Sequence, residues 1–423
     1  MLKNLDSKFK IKNQKLANVS EVISIILITL ISAIFIFKYG EIFYNFGIKA
    51  KSRLTSNPVL AFFIAPVFFW ISAYLCRRFS KKSSGNTMTH IETSLIYLNK
   101  NPNSLEKLTS VFNLRAVIIN CVSSLISTFG GGALGREAPS VYMSASLFAI
   151  VAQKLRSFLP KISLEAWICA GTAAGFAAAF HSPIAGFVYV VEKLFNSKSK
   201  NFFSDIFRTT IALFVVIILL HNSQPLFATY NLNLWFGYEL LVVALISSFC
   251  GVLSFLFKKI SIFFYNKTSK IKSNLWHLIP IIAGFAVSTL SIYGGVNSFS
   301  GDINLSQDGL DQFDFSYFEV FIRMTNSFIT FISGCAGGLV APSIAIGAEI
   351  GLVFSDLMKN VDKRVFVLAG MSAFLTPILG TPFAAAIVIV EASSQPILAF
   401  PFMFFSSAIS SFFSSLISKI LKK

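Results

Sequence analysis

Between residues 129 and 139 the chain reads Phe-Gly-Gly-Gly-Ala-Leu-Gly-Arg-Glu-Ala-Pro, with Arg136 and Glu137 at the end of a glycine run inside otherwise apolar sequence. An ionised side chain at the centre of a bilayer costs about 2.5–3.5 kcal/mol by insertion scales, so two of them at a helix break need a chemical role or a mutual structural ion pair. The glycines suggest the role. Gly130, Gly131, Gly132 and Gly135 break one helix, and the helix opening after them offers unpaired backbone N–H groups at the positive end of its dipole. That is a site for a desolvated anion. Glu137 sits where the anion would sit. Ionised, its carboxylate competes for the same N–H groups; protonated or displaced, it swings away, and the two states make a gate. The segment also contains a formal G-x-G-x-x-G, but a dinucleotide site needs a strand before it and a helix after it in a soluble βαβ unit, which the apolar flanks do not provide. Gly131 and Gly135 have the spacing of a helix-packing face and are expected to form one as well. That spacing leaves Arg136 and Glu137 unexplained.

The elements that hold such a site must be membrane helices. The chain has 423 residues, 54% hydrophobic and 13% charged, too apolar for a soluble domain with a solvated surface. Apolar runs such as Val22–Phe37, Ala116–Leu134 and Leu234–Phe257 approach the roughly 20 residues of a spanning helix, without the alternation of a membrane barrel strand. The predicted fold class is therefore all-α and polytopic. The net charge of +17 is not a nucleic-acid signature, because the basic residues cluster between apolar runs. Lys3, Lys8, Lys10, Lys12 and Lys15 precede the first run; Arg77, Arg78, Lys81 and Lys82 follow the second; Lys258, Lys259, Lys267, Lys270 and Lys272 follow a later one; Lys422 and Lys423 end the sequence. By the positive-inside rule these places and both termini are cytoplasmic. Asp302 to Glu319, with five acidic residues and no basic one, is assigned to the outside. The basic N-terminus also has the form of a secretory signal, but it has no clear cleavage site and many spans follow, so a retained first helix is expected. Cys76, Cys121, Cys169, Cys250 and Cys335 are odd in number and scattered, which fits reduced packing residues; no metal or other cofactor is expected.

Gly and Pro interrupt several apolar segments, at Gly130–Pro139, Gly337–Pro342 and Thr376–Pro382. Broken helices inside a membrane survive only where protein buries them or water lines them, which points to a transport site. The punctuation repeats. Gly135-Arg-Glu-Ala-Pro139-Ser140 matches Gly338-Leu-Val-Ala-Pro342-Ser343 at an offset of 203. Gly171, Pro183 and Glu192 match Gly370, Pro382 and Glu391 at an offset of 199. Residues 1–19 read as a cytoplasmic segment, and residues 20–200 and 205–418 as two membrane repeats around a midplane site.

At these residues the sequence resembles the CLC family of chloride channels and chloride/proton antiporters. Gly135-Arg136-Glu137-Ala138-Pro139 is similar to that family's G-R-E-G-P loop, with Ala138 for the second glycine. Gly338-Leu339-Val340-Ala341-Pro342 is similar to its G-x-F-x-P loop, with Val340 for phenylalanine. The stretches Gly171 through Glu192 and Gly370 through Glu391 resemble the helix pairs that follow each loop. The resemblance implies inverted repeats with broken and re-entrant helices, a homodimer with one pore per subunit, and Glu137 as the gating glutamate. It also implies anion coordination by backbone N–H groups of Arg136 to Ala138 and of Leu339 and Val340. No segment corresponds to the cytosolic regulatory domains of some relatives.

Three departures bear on function. Where the family has G-S-G-I-P, this chain has Ser83-Ser84-Gly85-Asn86-Thr87-Met88; Ser84 stands either for the anion-binding serine or in a polar cytoplasmic turn. The family's late tyrosine has no counterpart, since no Tyr follows Tyr317. Lys193 follows Glu192 where the family's exchangers carry an internal proton-transfer glutamate. It reads as a cytoplasmic end residue that snorkels to water, and it cannot relay protons as a carboxylate does near neutral pH. The expected function is a CLC-type pathway for a small anion, chloride by default, uncoupled or weakly coupled to protons, in a bacterial inner membrane. A strict exchanger with another proton route, or a fluoride/proton exchanger, is the nearest alternative; the latter branch carries an acidic residue in the second loop, where this chain has Val340. An intramembrane enzyme would draw on His181, which lacks an accompanying G-x-S-G loop or paired Asp motif. Beside Ser182 and Pro183 it reads as a capping or packing residue.

Overall fold

A computed structural model describes residues 2–80, 87–100, 111–156, 163–194, 202–221, 225–227, 229, 232, 237, 239–271, 273–299, 317–356 and 362–421. These residues form an all-α, polytopic membrane fold: α1 (Leu2–Ser56), α2 (Pro58–Phe79), α3 (Thr87–Lys100), α4 (Leu114–Phe129), α5 (Glu137–Leu155), α6 (Leu164–Phe180), α7 (Pro183–Lys193), α8 (Phe202–Leu220), α9 (Glu239–Ser269), α10 (Leu278–Gly294), α11 (Tyr317–Ile332), α12 (Val340–Ser355), α13 (Lys363–Leu379), α14 (Pro382–Ala392) and α15 (Phe400–Ile420). Among the described residues five stretches are long and apolar enough to cross a bilayer: Val19–Ser56, Pro58–Phe79, Glu239–Ser269, Asn274–Gly294 and Ile397–Ile420. Only 33–39% of each apolar window is buried inside the protein, so the remaining face meets lipid. Ile23, Leu27 and Phe35 on α1 and Leu241 and Leu245 on α9 are such outward residues.

The core is built from shorter helices of 16–19 residues. α5, α6, α12 and α13 are buried nearly all round. Small residues allow this: Gly347 and Gly351 on α12 leave no room for a side chain against the α13 backbone at Gly370, Met371, Phe366 and Val367. The helix-packing glycine pair is thus on α12, not at Gly131 and Gly135 as expected. Residues 130–136 lie outside any helix, because the glycine run ends α4 at Phe129. The run Ala116–Leu134 is accordingly not one span. Arg323 of α11 and Glu349 of α12 pair at 2.6 Å, with 1% and 0% of their side chains exposed.

α1 continues unbroken from Leu2, so the backbone of the basic N-terminal segment extends the first apolar run. All five cysteines are free thiols and four of them are buried.

Candidate functional site

At the first break the α4 helix closes on Gly130, whose N–H reaches the Ile126 carbonyl at 3.1 Å. Gly131 then takes φ +93°, and the Phe299 ring fills the space where a side chain would project. Gly132 N–H bonds the Ser127 carbonyl at 2.8 Å. The loop next reaches the other half of the chain. Gly135 donates to the Gly338 carbonyl at 2.9 Å, and Gly338 donates back to the Gly135 carbonyl at 3.0 Å. Among the described residues this isolated antiparallel bridge is the only β-type pairing. The two glycines occupy matching places in the repeat, and an exchange of both hydrogen bonds is what a two-fold relation between the halves produces.

From this bridge two helices depart, α5 at Glu137 and α12 at Val340. Their N-cap residues, Arg136 and Leu339, make no side-chain cap. The N-cap residues of α7, α10, α14 and α15 make none either, whereas Asn57, Asn113, Ser163 and Asp362 accept first-turn N–H groups of α2, α4, α6 and α13. Pro139 and Pro342, third in their helices, carry no N–H. The polarity of the helix starts at the bridge therefore rests in the backbone of Arg136, Glu137 and Ala138 on one side and Leu339 and Val340 on the other. All but Arg136 are buried; Glu137 is 2% exposed. The Glu137 carboxylate folds back over Gly135, where a Cβ would collide with Oε2. Arg136 Nε lies 3.9 Å from Glu137 Oε1, at the limit of an ion pair. Its guanidinium passes over Gly40 of α1 and lines a cavity of about 290 Å³ with Phe37, Ser140, His181 and Leu219.

A second symmetric arrangement supports the first. α6 ends on His181 at φ 53°, and α13 ends on its repeat partner Gly380 at φ 74°. His181 thus caps, and its ring packs edge-on to Phe37 at 6.0 Å. Each left-handed residue turns the chain into a proline-led short helix, α7 or α14. The N-terminus of α7 is held by Glu391, which accepts from Ile184 and Ala185 at 3.1 and 2.9 Å. The N-terminus of α14 is held by Glu192, which accepts from Phe383 and Ala384 at 3.4 and 3.1 Å. The matched Glu residues of the sequence repeat therefore cap each other's helices.

Lys193 does not simply snorkel to water. Its ammonium donates to the Leu379 carbonyl at 3.2 Å, lies 3.9 Å from Glu92 Oε1, and occupies the space beside Gly380. The carboxyl end of α13 carries the negative end of the helix dipole and attracts it inward. Ser84 lies outside the described residues. Thr87, from the stretch read against G-S-G-I-P, donates its hydroxyl to the Ala138 carbonyl at 3.0 Å. Two nearby groups escaped sequence reading: Tyr39, buried and 2.5 Å from Ser124 Oγ, and Glu92. Neither belongs to a motif, and only tertiary packing brings them to the site.

Comparison with known proteins yields a consistent likeness. A family model described as voltage gated chloride channel matches residues 67–415. The H(+)/Cl(−) exchange transporter ClcA of Klebsiella pneumoniae subsp. pneumoniae is 24% identical over 363 residues, covering 81% of this chain and 73% of the relative. ClcA of Cronobacter sakazakii is 23% identical over 357 residues, covering 81% and 74%. Among solved structures, a slow cyanobacterial Cl−/H+ antiporter superposes with a TM-score of 0.76 at 18% identity, covering 94% of each chain. A CLC-type fluoride/proton antiporter gives 0.74 at 19%, covering 92% of this chain and 95% of the other.

Proposed function

The chain belongs to the voltage-gated chloride channel family, and from that premise we propose that it carries chloride across a bacterial inner membrane through a pathway gated by Glu137 and only weakly coupled to protons. The observation that carries this reading is the meeting of two helix starts without side-chain caps at the Gly135–Gly338 bridge, with a buried carboxylate folded over it. A chloride ion leaving water loses its hydration shell, and oriented N–H groups at helix N-termini replace it. The backbone of Arg136 to Ala138 and of Leu339 and Val340 is placed to do so. Ionised Glu137 holds the same ground and repels the anion. Protonation removes its charge, so the pathway opens as pH falls.

The weak coupling follows from Lys193. It stands where the resemblance puts a proton-transfer carboxylate, and its ammonium is occupied with the Leu379 carbonyl and Glu92. The similar ClcA proteins are named as exchangers of protons for chloride; here we expect fewer protons per chloride. Chloride is preferred to fluoride as the substrate because Val340 offers no acid at the second helix start.

We take the protein to act as a homodimer of two-repeat subunits (20–200 and 205–418), with both termini in the cytoplasm. Reconstituting the purified protein in liposomes and recording chloride and proton movement together tests the reading. Chloride flux with little uphill proton movement supports it; absence of chloride flux, or strict exchange, overturns it. A reporter fused after Lys423 and a tag near Asp308 should report opposite faces.

A further inference from the structure

α3 links the bridge to the charged cluster around Lys193. At its first residue the Thr87 hydroxyl bonds the carbonyl of Ala138, next to Glu137. Five residues on, about 7.5 Å along the helix axis, stands Glu92. Its Oε1 accepts from the Tyr189 hydroxyl at 3.4 Å and faces the Lys193 ammonium at 3.9 Å. A quarter of the Glu92 side chain is exposed, so water reaches it, whereas Tyr189 is buried and stacks on Phe176 at 4.9 Å. The titratable groups facing Glu92 are Tyr189 and Lys193 from α7 and, more remotely, Lys258 from α9; His90 lies two residues back on its own helix. Lys258 is held by the Pro377 and Ile378 carbonyls at 2.8 and 2.9 Å. Both ammonium groups are thus anchored on the carboxyl end of α13, where Glu92 faces them and Glu192 also acts on Lys193. The charge bias of the sequence assigns this face to the cytoplasm.

We propose that Glu92 is the acid through which protons enter the pathway from the cytoplasmic water, and that it, rather than residue 193, sets what coupling the chain has. The inference rests on the reading of Glu137 as the gate. A hydronium ion gives its proton to a Glu92 carboxylate oxygen and becomes water. The neutral acid gives up the proton toward the Thr87 end of α3, and the Glu137 carboxylate takes it up. Glu92 is then again an anion and Glu137 is neutral, with no other reactant consumed. To load, a proton has to take the carboxylate from Lys193, and this competition keeps the coupling weak.

The test is chloride-driven proton uptake by the full chain in liposomes, with chloride flux recorded in the same vesicles. The unmodified protein should take up a small, measurable quantity of protons. Glu92→Gln preserves the acceptor for Tyr189 but holds no transferable proton; it should lower protons per chloride about tenfold or more while chloride flux persists. Glu92→Asp should retain uptake. Lys193→Gln separates chemistry from architecture: it breaks the same ion pair, so a merely structural Glu92 predicts equal loss in both variants, whereas a proton-carrying Glu92 predicts loss in Glu92→Gln alone. Unchanged stoichiometry in Glu92→Gln, equal loss in Lys193→Gln, or chloride flux without any proton uptake by the unmodified chain overturns the proposal. A chain that moves no chloride fails at the reading of Glu137 instead.

Discussion

Ala138 lies directly over Gly338, its methyl carbon 2.7 Å from where a Cβ on that glycine would stand, and Ala341 lies over Gly135 at 2.6 Å. Real Cβ atoms do not approach so closely, so the reciprocal bridge exists only because both positions lack side chains. Gly338→Ala should force the two loops apart at a cost of about 1–3 kcal/mol, seen as a lower melting temperature and reduced chloride flux. Combining it with Ala138→Gly returns the space and should recover both. A single variant that melts and conducts like the parent would show that the bridge does not shape the pathway.

Glu137→Ala removes the charge that competes with the anion. In the unmodified protein, flux should rise as pH falls, because protonation neutralises Glu137. The alanine variant should conduct at its full rate at every pH. Liposome flux measured across an acid-to-neutral series checks this, and a pH response that survives in a folded variant assigns the gate elsewhere.

Glu391→Gln and Glu192→Gln each replace a charged cap by a neutral one. Each change should destabilise by about 1 kcal/mol, and by similar amounts, since the two caps are equivalent. Thermal unfolding in detergent measures both; a large difference between them would contradict the equivalence of the two ends.

Arg323→Met strands Glu349 as an isolated charge in the core, where losing one partner of a buried pair costs about 3–5 kcal/mol. The double variant Arg323→Met/Glu349→Met removes both charges and should be the milder change. Yield and melting temperature of the single and double variants give the comparison.

Much of this architecture was legible because Gly, Pro and Glu mark backbone events that cannot be moved. The offsets of 203 and 199 between Gly135 and Gly338 and between Pro183 and Pro382 give the register in which the halves face each other. What the sequence hid was which residues meet. Glu192 and Glu391 were visible as matched letters, but nothing local says that each caps the other's helix. Gly131 and Gly135 satisfied a packing pattern that needs a helix, and the glycine run that supplied the pattern also ended the helix. Lys193 read as a water-seeking end residue because the carbonyl that holds it, that of Leu379, lies 186 residues away. Glu92 carried no signal, being a single acid on a helix of mixed character.

The reciprocal caps also set a timetable for biosynthesis. The amide groups that open α7 have been made long before the carboxylate that receives them, because Ile184 and Glu391 are 207 residues apart. At translation rates of about 5–20 residues per second that interval is roughly 10–40 s. Throughout it the first half resides in the bilayer with a helix end awaiting its partner, and the second half inserts without its own closure unless Glu192 is already in place. Each half is in this sense a template for finishing the other, so a ribosome that stalls midway leaves behind an unfinished piece with exposed polar ends. Membrane quality control would recognise such a piece by those unclosed ends.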